Sequence, residues 1–211
     1  KIMKQFISKY NICLITARSN KSDTCDHFFI SKNMMETKCG ERTTQSAIFP
    51  LYIYPETNTQ QTLNHETEVT ADAPQGRKPN LNKEIVEKIT KKLGLEFVSD
   101  HELLKEVEHD KYFNPLDLLD YIYAVLHSRN YREIYKEFLK IDFPRVPYPK
   151  DEKTFWQLVK LGGEIRQIHL LESPIVEQYI TQYPINGDNT ITRKIIKNSP
   201  GYEAVNDLKG K

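Results

Sequence analysis

Apolar residues along this chain change their period near residue 80. Before that point they come in short runs, residues 11–17 (NICLITA), 27–30 (HFFI) and 47–54 (AIFPLYIY), each bounded by polar turn residues. Runs of this length with β-branched and aromatic members predict strands. Pro50 removes a ladder donor from the third run and predicts an edge position or a bulge there. Beyond residue 80 the spacing is helical. Asn80 or Asn82 caps a helix that presents Ile85, Val86, Ile89 and Leu93 on one face and a run of lysines and glutamates mostly on the other. Phe97 and Val98 predict a brief extension, followed by a short acidic helix to about Glu108.

The stretch from Phe113 to Tyr148 organises the rest. Asn114 is a helix cap, Pro115 suits a first turn, and Asp117 sits where a carboxylate favours the positive helix end. From Leu116 to Leu126 nearly every position is apolar, which predicts a core helix buried on most sides and too short to cross a bilayer. Tyr131, Ile134, Tyr135, Phe138 and Leu139 then predict one amphipathic helix, stopped by Pro144, Pro147 and Pro149. Asp151 or Lys153-Thr154 opens a last long helix in which Gly162-Gly163 permits a kink or the close approach of another backbone. Residues 191–196 read as one more strand. The fold expected is α+β, a small mixed sheet from the N-terminal third packed with a mainly helical portion. All 211 residues are expected to form one composite domain: a β-rich part with one helix over 1–110, a helical part over 111–183 and a strand or tail over 184–211.

Composition changes this picture little. Hydrophobic residues are 38% and charged ones 28%, as in an ordinary globular domain, and the net charge of +1 gives no global attraction to nucleic acid. On composition alone a neutral globular domain with solvated charges is the reading, and the neutral charge permits a helical protein-interaction or structural module. Cys13, Cys25 and Cys39 are an odd count at wide spacing and read as free thiols of a cytoplasmic protein, with no metal site expected from them and His27. His169, among Ile168, Leu170 and Leu171, reads as a structural histidine. The chain begins at Lys1 rather than at a methionine, as expected of a piece of something longer.

The segments YIYAVLHSRNYREIYKEFLKIDFPRVP (residues 121–147) and FWQLVKLGGEIRQIHLLES (155–173), with IFPLYIYP (48–55) and PNLN (79–82), closely resemble the C-terminal specificity region of type ISP and related type IIG restriction-modification enzymes, which methylate adenine in DNA. The resemblance implies a target recognition domain whose partners are double-stranded DNA and the methyltransferase domain of the same polypeptide, with no membrane. It implies S-adenosylmethionine for the parent enzyme. For this piece no cofactor, metal or catalytic residue is expected. Readout is expected from loops of the β-rich part, carried by Arg18, Lys21, Lys38, Arg42, Arg77 and Lys78, while Arg129, Arg132 and Arg145 brace the helical scaffold. Tyr52 and Tyr54 share a strand face, which suits either stacking on bases or the core.

An amino-methyltransferase needs a Gly-rich turn for the methyl donor and an Asn/Asp-Pro-Pro-aromatic loop for the flipped base. Phe113-Asn114-Pro115-Leu116 imitates the second, but Leu stands where the second Pro belongs and helix capping accounts for it. Calorimetric titration of the chain with S-adenosylmethionine is therefore expected to show no saturable site; a site of micromolar affinity would contradict this reading.

Overall fold

In the computed structural model, which describes residues 2–6, 10–21, 24–41, 43–55, 76–99, 111–178, 191 and 194–198, an α+β architecture is built around helix α2 (Pro115–His127). The chain divides into two compact units, Lys1–Ser173 and Pro174–Lys211. Asn114 caps α2 by accepting from the backbone N–H groups of Leu116 and Asp117, at 2.8 and 3.1 Å. The Asp117 carboxylate accepts in return from the Asn114 N–H at 2.9 Å, closing a capping box.

The sheet that leans on α2 is small. Strand β1 (Cys13–Ala17) lies between β2 (Phe29–Ser31) and β3 (Ser46–Pro50), antiparallel to both, with Ile15 opposite Phe29 on one side and Ile48 on the other. Edge strand β3 ends at Pro50, where the missing donor costs no ladder bond. Strand β4 (Tyr52–Ile53) pairs antiparallel with β5 (Lys78–Pro79). Buried Asn11 stands in for a strand beside Tyr52, donating to its carbonyl at 2.8 Å and accepting from its N–H at 3.1 Å. Among the described residues, parallel pairing is confined to the two-residue strands β6 (Glu96–Phe97) and β7 (Tyr112–Phe113).

Helix α1 (Lys83–Leu93) is capped by Asn82, whose side chain accepts from the Ile85 N–H, and ends at Gly94 with φ of 71°. It buries Val86, Ile89 and Leu93 against Leu118, Tyr121 and Val125 of α2, in a cluster completed by Phe155 and Val159 of helix α5 (Glu152–His169). A second cluster joins Leu119 and Tyr123 of α2 to Ile12, Ile30, Leu51, Tyr52 and Tyr54 from the sheet side. Helix α2 feeds both clusters, which is why it lacks a polar face. Tyr52 and Tyr54 are therefore core residues.

Helix α5, capped by Asp151, runs through the glycine pair without interruption. A Cβ on Gly162 would stand 1.9 Å from the backbone carbonyl oxygen of Asp120, so the missing side chain is what lets α5 reach α2. Four residues on, Arg166 donates through Nε and Nη2 to the two oxygens of the Asp120 carboxylate, at 2.6 and 3.0 Å. Burial pushes the Asp120 carboxyl above the usual carboxylate range, and Arg166 draws it back toward the charged form.

Two expectations need correction. The helix over 131–139 breaks at Tyr135 into α3 (Arg129–Ile134) and α4 (Lys136–Leu139). Tyr131 and Leu139 are buried, but Ile134, the last residue of α3, is 74% exposed. In the second unit, residues 191, 194 and 195 form no strand, and only Ile196 makes a single bridge. The acidic helix expected to about Glu108 lies outside the described residues.

Asp120→Ala would leave Arg166 buried without its carboxylate and is expected to cost about 3–5 kcal/mol in urea unfolding. Gly162→Ala, which overpacks a backbone contact, is expected to cost at least about 1–3 kcal/mol. An unchanged midpoint for Gly162→Ala would contradict the close approach of the two helices.

Candidate nucleic-acid interface

Chain direction in the sheet decides which loops meet. Strands β2 and β3 both run antiparallel to β1, so residues 32–45 must cross from the end of β1 near Cys13 to the end near Ala17. The crossing passes over the sheet, where a Cβ on Gly40 would lie 3.6 Å from Ile15 and 3.7 Å from Phe29. At the Ala17 end it meets the loop that follows β1, and the Ser19 and Thr44 hydroxyls hydrogen-bond there at 3.1 Å. Residues β4 and β5 leave from the opposite, Pro50 end.

The six cations expected to touch DNA are thus divided. Arg18 and Lys21 sit at the Ala17 end, and both are exposed. Arg18 is not idle there: its Nε lies 3.3 Å from a carboxylate oxygen of Asp142. Lys38 is exposed in the crossing segment, and Arg42 falls outside the described residues. At the other end Arg77 is half-buried with its guanidinium 4.3 Å from the centre of the Tyr52 ring, a cation–π contact that braces a core tyrosine. Lys78, opposite Ile53 in the β4–β5 pair, is exposed. Of the scaffold arginines, Arg132 donates to the His127 carbonyl at 3.2 Å and Arg145 lies 5.0 Å from the Phe138 ring, while Arg129 is exposed. The carboxylates of Asp120 and Asp142 belong to Arg166 and Arg18, not to these three.

The family model for the type ISP C-terminal specificity domain matches residues 1–207. The chain belongs to this family. Among solved structures it is similar to the ATP-dependent type ISP restriction-modification enzyme LlaBIII bound to DNA, at 19% identity and a TM-score of 0.49, over 77% of this chain and 8% of that one. It is also similar to the cryoEM structure of a DrdV–DNA complex, at 22% identity and a TM-score of 0.46, over 76% of this chain and 12% of that one. A search of curated proteins gave no match. No helix among the described residues is long and apolar enough to cross a membrane.

In this specificity domain the amine-holding imitation at 113–116 is spent on folding: Phe113 is fully buried and Asn114 caps α2. His169 accepts or donates at 2.7 Å with the Tyr123 hydroxyl and joins α5 to α2. Cys13 and Cys25 are buried and Cys39 exposed, all as free thiols, and burial pushes the Cys13 thiol up to about 12. Among the described residues no group of three His, Cys, Asp or Glu could hold a metal ion.

The sequence reading passed over a polar cleft of about 390 Å³ at the Ala17 end, lined by Asn20, Lys21, Asp26, His27, Gly40, Glu41 and Thr43. Glu41 is fixed there: one carboxylate oxygen, Oε2, accepts from the Thr43 N–H, the Thr43 hydroxyl and the Thr44 N–H at 2.5, 2.7 and 2.6 Å. The bonds from Thr43 and Thr44 hold its carboxyl below the usual carboxylate range. His27 is 2% exposed, with Nδ1 held at 2.7 Å by the Asn20 amide and a buried Nε2 that has no hydrogen-bond partner among the described residues. Neither role has a spacing signature, since residues 27 and 41 meet only through the crossing segment.

Burial holds the His27 ring below the ordinary histidine value of 6.5, against the pull of Asp26 and Glu41, and burial does the same to His127. The unfolded chain therefore binds more protons than the folded one just below that value, and stability falls as the pH drops through it. Urea midpoints measured from about pH 8 down to pH 5.5 are expected to decline below about 6.5, less steeply in His27→Gln. A midpoint independent of pH over that interval would contradict the burial of neutral imidazoles.

Proposed function

We propose that this specificity domain reads a sequence in double-stranded DNA on behalf of a methyltransferase domain in the same, longer polypeptide. The enzyme served is a type ISP or type IIG-like restriction-modification protein of the cytoplasm that methylates adenine with S-adenosylmethionine. The observation that carries the reading is the match to a specificity domain along nearly the whole chain. Supporting it, the β-rich part carries exposed Lys21 and Lys38 on irregular backbone and exposed Lys78 on the short strand β5, where side chains can follow a groove. The methyl donor and its chemistry belong to the proposed catalytic domain, because the one segment here that imitates a base-holding loop is a helix cap.

Near-neutral net charge limits how much of the affinity comes from phosphates. If the exposed Lys21, Lys38 and Lys78 each neutralise one phosphate, log K against log salt has a slope of about −3. Fluorescence anisotropy of the chain with labelled duplex from about 50 to 200 mM salt is the test. A negative slope of that order is expected. No measurable duplex affinity at the low end would reject the reading in favour of a protein-interaction module.

A further inference from the structure

Arg18 leaves the end of β1 as an exposed cation that is already oriented. Its Nε donates to Oδ1 of Asp142 at 3.3 Å, and that oxygen, just after α4, also accepts from the Phe143 N–H at 2.9 Å. Both members of the pair are anchored to one sheet. Ala17, next to Arg18, is fully buried and paired with Ser46, and Ser19 hydrogen-bonds Thr44. On the other side the Phe143 ring packs edge-on against Phe49 of β3, with centres 5.7 Å apart. A salt bridge between exposed groups adds little to stability, so what this one supplies is direction. The Arg18 side chain keeps 72% of its surface exposed, and its Nη1 and Nη2 make no hydrogen bond to the described residues.

A guanidinium held through Nε presents its far edge, Nη1 and Nη2, as a fork of N–H donors. Two acceptors side by side suit that fork. In the major groove guanine presents such a pair, O6 and N7; adenine sets an acceptor beside a donor, thymine an acceptor beside its methyl group, and cytosine offers a donor. A phosphate also carries paired oxygens, but the Asp142 carboxylate repels it and offsets the Arg18 charge that would attract it. The guanine edge is neutral and meets no such opposition. Lys21, exposed on the same loop, is left for the backbone.

We propose that Arg18 reads one guanine of the recognised sequence in the major groove, Nη1 and Nη2 donating to O6 and N7, and that Asp142 is the positioning residue that aims the guanidinium. The helical half thus contributes to specificity through a carboxylate that touches only the reading side chain. Rigid anchoring of both residues on the sheet keeps the fork in one direction before DNA arrives. The proposal rests on the reading that the domain binds duplex DNA.

The test starts from the chain itself and the duplex it enriches from a randomised pool. Each guanine of the enriched site is replaced in turn by 7-deazaguanine, which lacks N7, and by adenine. At one guanine, either replacement is expected to weaken binding about tenfold or more in anisotropy titrations. At that position Arg18→Lys, which keeps the charge and loses the fork, is expected to bind the normal and 7-deaza duplexes alike. Asp142→Ala is expected to lower the preference for guanine over adenine there about tenfold, and Asp142→Glu, which keeps a carboxylate, to retain part of it. A variant that merely folds less well binds both duplexes more weakly in the same proportion, so the ratio separates aim from stability. Tolerance of 7-deazaguanine at every position overturns the proposal while leaving duplex binding in place. So does an Arg18→Lys chain that stays sensitive to it, or an Asp142→Ala chain with the ratio unchanged. Failure of the chain to bind any duplex overturns the proposal together with the function it rests on.

Discussion

Gly162 lying against the Asp120 carbonyl is the contact on which the first unit depends. Any side chain at Gly162 would overlap that oxygen, so α5 can pack at this depth only with glycine there. Having come so close, it places Arg166 on the Asp120 carboxylate in a bidentate ion pair whose members are 12% and 7% exposed. Burying two charges is costly in itself, and such a pair is weak evidence for net stability. What it supplies is register, because sliding α5 along α2 would strand both charges away from water and from each other. Further along the same interface, the bond between Tyr123 and His169 repeats the constraint with neutral groups.

From that lock the rest follows by packing. With one side of α2 closed by α5, its remaining apolar positions must be covered by α1 and by the sheet, and the two hydrophobic clusters do this from different directions. The sheet is too small to stand alone, three strands of at most five residues, and gains stability by burying Ile12, Ile30 and the strand-end tyrosines against α2. Its loops carry few apolar residues of their own. They are held at their roots by β1 and are free to carry polar side chains at their tips, which is the division of labour between scaffold and reading surface that a specificity domain requires.

Much of the scaffold was legible in the sequence because it is set by local signals. The Asn114 cap, the Asp151 cap, the all-apolar run of α2 and the strand runs before residue 55 each carry their instruction within a few residues. The glycine pair was readable as a place of close approach, but its partner was not, since nothing local links Gly162 to Asp120. The break at Tyr135 was missed because spacing alone allowed a continuous helix, on which Tyr131 and Leu139, both buried, would share a face. At the candidate site, polar loops with cations were evident, yet the use of each cation was not. Arg18 pairs with Asp142 and Arg77 covers Tyr52, both long-range contacts. His27 and Glu41 had no signal at all, because a loop crossing the sheet brings them together.

The central claim is that a rigid helical lock presents the loops at the ends of β1 and β4–β5 as the surface that meets DNA. Hydrogen–deuterium exchange of the chain with and without a bound duplex tests it most directly. The account predicts slowed exchange in residues 18–21, 38–41 and 76–78, with α3 and the segment around Arg145 unchanged. Protection centred on Arg129, Arg132 and Arg145, with the loops unaffected, would contradict it and assign the reading surface to the helical half.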